Sequence, residues 1–212
     1  MTVYGKLPVF LGQWDQDLEE VMHYLYLPVQ MPDTDVRLPD NLRVLWQMIQ
    51  RTKRYAEYFG RNYRYIYVSA RKGFATPDNP LNRPGWHCDG FGTEDWNFVW
   101  WVGPGTRFAH QPFEGIVSDH NRSMTQFDEQ VRADRIVQYP ERRLYLLDPT
   151  VVHATPIIEA PGCWRQYVKI SMSDHQYNLK NNSHNYLFDY KWPMHARDVI
   201  RNDPHRAQRD YV

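Results

Sequence analysis

The sequence predicts a mainly β fold of sandwich or barrel type with helical elaboration at its N-terminal end, and three patterns lead there. The first is the helical period at Leu42, Leu45, Met48, Ile49, Thr52, Tyr55 and Phe59. The second is a change to a period of two from Tyr63, which puts Tyr63, Tyr65, Tyr67 and Ser69 on one face and Arg64, Ile66 and Val68 on the other. The third is the number of short β-branched or aromatic runs further on, each bounded by Gly, Pro, Asp or Asn.

In chain order, a weak helical pattern covers Asp15 to Tyr26, and the strong helix follows Pro39 with Asp40 as N-cap and Gly60 as its stop. Residues 1–60 thus read as a helical layer backing a sheet. Strands are predicted at Asn97–Val102, Gly115–Ser118, Arg135–Tyr139, Arg143–Leu147, Val151–Ala154 and Trp164–Met172. The prolines at 77, 80 and 84 mark an irregular loop that could overhang a site, and Met124–Ala133 reads as a short surface helix. We expect residues 1–212 to form one domain, with 61–174 as its core and 175–212 as a tail. Tyr186, Leu187, Phe188, Tyr190 and Trp192 make that tail too apolar for plain disorder. It should pack back on the domain, close a site as a lid, or join a second copy in a homo-oligomer.

With 25 basic and 25 acidic residues the formal net charge is zero, so no global field recruits long nucleic acid or an acidic membrane. The beginning Met1-Thr2-Val3-Tyr4-Gly5-Lys6 has no apolar signal-like run, and no segment has the length of apolar residues that crosses a bilayer. The expected location is cytoplasmic. Cys88 and Cys163 are expected to be reduced thiols, because two cysteines make no disulfide framework.

Chemistry concentrates in Gly85-Trp86-His87-Cys88-Asp89-Gly90. On a strand, His87 and Asp89 share a face while Cys88 points away. A second imidazole, His153, follows an aliphatic run and the Asp148-Pro149 turn, and Arg165 begins a later strand after Ala160-Pro161-Gly162. Two imidazoles and a carboxylate occupy one face of an octahedral metal and leave the other open, which suits non-haem Fe(II). A guanidinium near the open face would hold a carboxylate.

These residues resemble the site of the Fe(II)- and 2-oxoglutarate-dependent dioxygenase superfamily, over roughly Tyr63 to Ser173. The resemblance implies a double-stranded β-helix (jelly-roll, cupin-like) core, Fe(II) bound by His87, Asp89 and His153, and 2-oxoglutarate held by Arg165. It implies consumption of O₂, release of succinate and CO₂, and hydroxylation of a substrate, since Asp89 stands where related halogenases resemble this site with a small residue. The alternative is a cupin-like metal-binding protein that is no oxygenase, such as an isomerase, hydrolase or small-molecule binding module. Arg165 discriminates between the two readings.

Lys169 rivals Arg165 as the anchor, because 165, 167, 169 and 171 share a strand face, but the guanidinium fork suits a carboxylate better. Tyr67 and Tyr167 are further candidates for the co-substrate's surroundings. Trp86, Phe91, Trp96, Trp100 and Trp101 either fill the core or shape a pocket for a small or flat aromatic substrate.

Overall fold

A computed structural model describes residues 2–117 and 119–197. Among these, nine strands form two antiparallel sheets. The strands are β1 (Val9–Gln13), β2 (Met22–Gln30), β3 (Tyr65–Ala75), β4 (Trp96–Val102), β5 (Arg107–Ala109), β6 (Ile136–Gln138), β7 (Arg143–Leu147), β8 (His153–Ala154) and β9 (Cys163–Ser173). The larger sheet runs β1-β7-β4-β9-β3-β2 and the smaller β6-β5-β8. This is a mainly β fold, consistent with a β-sandwich or jelly roll.

The alternation expected from Tyr63 onward organises the larger sheet. Ile66, Val68 and Ala70 of β3, Phe98 and Trp100 of β4, and Val168, Ile170 and Met172 of β9 form one core with Leu42, Leu45, Met48, Ile49 and Ala56. Their in-between neighbours face the smaller sheet. Val99, Trp101 and Tyr167 pack there with Phe108 of β5.

The helix is shorter than its period suggested. Asp40–Leu45 is a 3₁₀ turn, and the α-helix α1 covers Trp46–Tyr58. Asp40 caps nothing with its side chain and pairs instead with Arg43. Gly60 does stop the helix: at φ +71° it lets its own N–H reach Glu57 O and the next N–H, of Arg61, reach Ala56 O.

Three expectations for the flanking elements are corrected. Residues 15–26 hold no helix; Met22–Gln30 is the edge strand β2, and β1 also joins the sheet, so residues 1–60 are only partly helical. Gly115–Val117 forms no strand, because the Gln126 side chain takes the place of a partner strand, donating to Gly115 O and accepting from Val117 N. The surface helix α2 begins earlier, at His120–Gln130, where the Asp119 carboxylate accepts from Arg122 N as N-cap. None of the helices described is long and apolar enough to cross a membrane.

The tail packs back as far as it is described, and residues 198–212, with their part in the expected lid or homo-oligomer contact, lie outside the described residues. Asn185, 1% exposed, staples it to β2. Its Nδ2 donates to Pro28 O and Arg37 O, and its Oδ1 accepts from Leu187 N. Asn185→Ala should strand those carbonyls and destabilise the protein by about 1 to 3 kcal/mol, read as a lower urea midpoint at unchanged m-value.

Candidate metal centre and its cavity

The His-x-Asp segment is anchored by a single bridge and not by a full strand. His87 N–H donates to His153 O and His153 N–H to His87 O, each at 2.9 Å, which adds His87 to the edge of the smaller sheet beside β8. The chain then turns at Asp89-Gly90. Gly90 sits at φ +70°, and a Cβ there would lie 3.0 Å from Asp95 Cβ, so the turn needs glycine. Cys88 points away as expected, into a buried cluster with Trp86 and Phe127.

This backbone pairing brings together what the sequence holds far apart. One donor atom each from His87, Asp89 and His153 lies within 4.8 Å of the others. His87 Nδ1 lies 2.9 Å from Gly85 O, and His153 Nδ1 3.0 Å from Val151 O. A carbonyl only accepts, so both Nδ1 atoms carry the proton and both Nε2 lone pairs are left for a metal. Burial, and then the neighbouring His153, push His87 down to about 3, which keeps that imidazole neutral. His153 Nε2 is 3.4 Å from Asp89 Oδ2.

Asp89 is held from its other side by Lys169. Lys169 Nζ donates to Asp89 Oδ1 at 2.9 Å and to the Tyr26 hydroxyl at 3.0 Å, and it lies over the Tyr26 ring. Burial opposes the charge on Asp89, but the Lys169 ammonium outweighs it and holds the carboxyl well below its usual range. Burial likewise opposes the charge on Lys169, and Asp89 overrides it, raising the ammonium's pKa. Lys169 is therefore committed to Asp89, which removes it as the rival anchor for a carboxylate co-substrate.

Arg165 is 1% exposed in the wall of the same cavity. Its Nε donates to Pro104 O, and its Nη1 to Pro80 O and Asn82 Oδ1. Its Nη2 is buried with no partner among the described residues. The fork expected from the sequence is thus reduced to one free nitrogen. The guanidinium lies 5.3 Å above the Tyr167 ring, and burial brings it down only to about 10, so it stays charged at neutral pH.

The cavity encloses about 460 Å³. The Pro77–Pro84 loop overhangs it through Asn82 and Arg83, as expected, and the tail supplies a wall through His175 to Leu179 and Asn182. Tyr167 lines it, with its hydroxyl pushed up to about 12 by burial foremost. Tyr67 does not. Its hydroxyl donates to His175 O and accepts from Tyr177 N, and its ring stacks on Tyr177, so it positions the tail and is withdrawn as a co-substrate ligand. Of the five aromatic residues near the His-x-Asp segment only Phe91 lines the cavity; the other four pack in the cores.

Sequence reading missed Arg71 and Asn178, which both line the cavity. Arg71 continues the Tyr67-Ser69 alternation two residues beyond the point where the strand was expected to end, so the signal was there. Asn178 lies in an irregular segment with no pattern to expose it.

No protein-family model and no curated protein matches the chain. Among solved structures the chain is similar to IDO from Bacillus thuringiensis, with TM-score 0.42 and 12% identity over 69% of this chain and 73% of that one. It is also similar to an oxidoreductase of the 2OG-Fe(II) oxygenase family from Burkholderia pseudomallei, with TM-score 0.40 and 15% identity over 73% of this chain and 68% of that one.

The buried pair has a pH signature with a definite sign. Asp89 has its pKa depressed by folding, so its stabilisation is present above the unfolded carboxylate value near 4 and is lost as pH falls below it. In metal-free protein, Lys169→Met should cost about 3 to 5 kcal/mol at neutral pH by leaving the carboxylate without its cation. Urea unfolding should show the gap between wild type and variant narrowing below about pH 4. A gap that stays constant into that range would mean that Asp89 carries no charge stabilised by Lys169.

Proposed function

We propose that this protein is an Fe(II)- and 2-oxoglutarate-dependent oxygenase, a hydroxylase that releases succinate and CO₂, on a double-stranded β-helix core. The observation that carries this reading is the buried, unpartnered Nη2 of Arg165, a residue that lines the same cavity as His87, Asp89 and His153. A guanidinium with an empty nitrogen in a low-dielectric wall calls for an anion from the ligand. A metal-only binding module or an isomerase gives that nitrogen no use.

The donor set fits the metal. Two neutral imidazole nitrogens and one ionised carboxylate oxygen suit Fe(II) and leave coordination positions open. With iron bound, His87, Asp89 and His153 hold it, and 2-oxoglutarate and O₂ supply the oxidising power that inserts oxygen into a substrate C–H bond. The chain's own residues bind, orient and exclude water. Lys169 keeps Asp89 Oδ1 engaged, which leaves Oδ2 directed at the His153 side where the metal belongs. Arg165 Nη2 receives the remote carboxylate of 2-oxoglutarate beside Tyr167. The overhanging loop and the tail wall shield the centre from bulk solvent.

The test is succinate release with Fe(II), ascorbate and 2-oxoglutarate across classes of substrate. His87→Ala, Asp89→Ala and His153→Ala should each abolish coupled turnover, and anaerobic addition of Fe(II) and 2-oxoglutarate to wild type should give a weak visible charge-transfer band. Full activity of Asp89→Ala would sink the three-ligand assignment.

Arg165 is tested separately. One charge-assisted contact to the remote carboxylate is worth about 1.5 to 3 kcal/mol, so Arg165→Ala should raise the apparent constant for 2-oxoglutarate by about tenfold to 150-fold while Fe(II) binding is retained. Because Arg165 also holds the loop through Pro80 and Asn82, Arg165→Lys is the companion variant and should recover part of the affinity. An unchanged 2-oxoglutarate constant in both variants would remove Arg165 as the anchor.

A further inference from the structure

After Lys169 is assigned to Asp89 and Arg165 to the co-substrate, the cavity still holds polar groups that call for an acceptor. Arg71 of β3 lines it on the side of β2 and the tail. It stands opposite Tyr167 in the β3–β9 register, with Gly73 opposite Arg165, so the two guanidiniums flank Tyr167 on neighbouring strands. Its Nη1 donates to Leu81 O, and among the described residues no carboxylate pairs with it. The carboxylates in the cavity wall are both engaged elsewhere, Asp89 by Lys169 and Asp95 by the Tyr177 hydroxyl at 2.5 Å. A second group in the tail wall points the same way. Asn178 is 1% exposed, and its Nδ2 donor is buried with no partner among the described residues.

We propose that the substrate oxidised at this centre is a small organic acid, whose carboxylate or other oxyanion is received by Arg71 with Asn178 Nδ2 as a second donor. This rests on the oxygenase reading, since it assigns Arg165 to the co-substrate and leaves Arg71 to the substrate. The physical case is one of charge. One dianionic co-substrate supplies a single remote carboxylate, and Arg165 takes it. Arg71, partly withdrawn from water and close enough to Arg165 and to Arg197 of the tail for the charges to repel, then has no carboxylate paired with it among the described residues. A second anion removes that cost, and a neutral substrate leaves it in place. The cavity's size of about 460 Å³ admits a metabolite-sized acid.

The experiment is calorimetric binding to the full chain loaded with Mn(II) and saturated with 2-oxoglutarate, where no turnover occurs. The probes are matched pairs: hexanoate and hexanamide, phenylacetate and phenylacetamide, with hexyl phosphate as the tetrahedral oxyanion. Acids should bind about tenfold or more tightly than their amides, as one charge-assisted contact requires. The preference should collapse in Arg71→Gln and partly return in Arg71→Lys, while the constant for 2-oxoglutarate changes less than about twofold. Hexyl phosphate binding above both carboxylates would specify a phosphate-bearing substrate within the same proposal. Equal binding of acids and amides, or no binding of either at millimolar concentration, overturns it. So does an Arg71→Gln variant that loses 2-oxoglutarate as strongly as Arg165→Lys does, because Arg71 then serves the co-substrate. Failure of the oxygenase reading shows differently, as absence of 2-oxoglutarate binding to the wild type; the acid and amide pairs measured without it still report on Arg71.

Discussion

A carboxylate placed between two sheets is tolerated only beside a cation, and the pairing of Asp89 with Lys169 meets that constraint here. The pair fixes more than its own energy. Lys169 belongs to β9 in the middle of the larger sheet, and Asp89 follows the bridge that adds His87 to the smaller one, so a single contact of 2.9 Å ties the two layers at the site. Tyr26 completes the arrangement by accepting from the same ammonium, which brings the edge strand β2 into the same cluster. With Oδ1 fixed, the carboxylate has one oxygen left, and that oxygen lies beside His153.

What the sequence revealed and what it hid divide along a physical line. Strands in the middle of the larger sheet pack one face on α1 and the other on the cavity, so β3 and β9 must alternate, and Val68/Ser69 and Lys169/Ile170 show it plainly. Edge strands obey no such rule. β2 contains Tyr26 at φ +47° and shifts register both there and near Pro28, so its apolar residues Met22, Leu25 and Val29 fall closer to a helical spacing than to a strand's. β1 is short, irregular at Gly12, and paired on one side only, which left it without a pattern to detect.

The site was legible for a related reason. A His-x-Asp pair followed by a second His in a strand setting stands out as a group that could hold a metal, even when the strand carrying the first two residues shrinks to one bridged residue. Lys169 was recognised as lying on the correct face, but its role was not, because the sequence does not say that Asp89 comes within reach of it. The same holds for Arg165: its burial and position on β9 followed from the pattern, whereas the carbonyls of Pro104 and Pro80 that occupy two of its nitrogens come from loops, whose path no period encodes.

Those loop contacts explain how the cavity stays open around strong cations. Buried guanidiniums would normally recruit acidic side chains, and such partners would block an anionic ligand. Here Arg71 and Arg165 are steadied by neutral acceptors of the loop after β3, Leu81 O for one and Pro80 O with Asn82 Oδ1 for the other. Neutral acceptors satisfy the geometry of a guanidinium without cancelling its charge. The loop therefore steadies the two cations at the cavity while leaving their charge to be met by what enters, and Asp89, the carboxylate beside the two imidazoles, is kept from them by its own lysine.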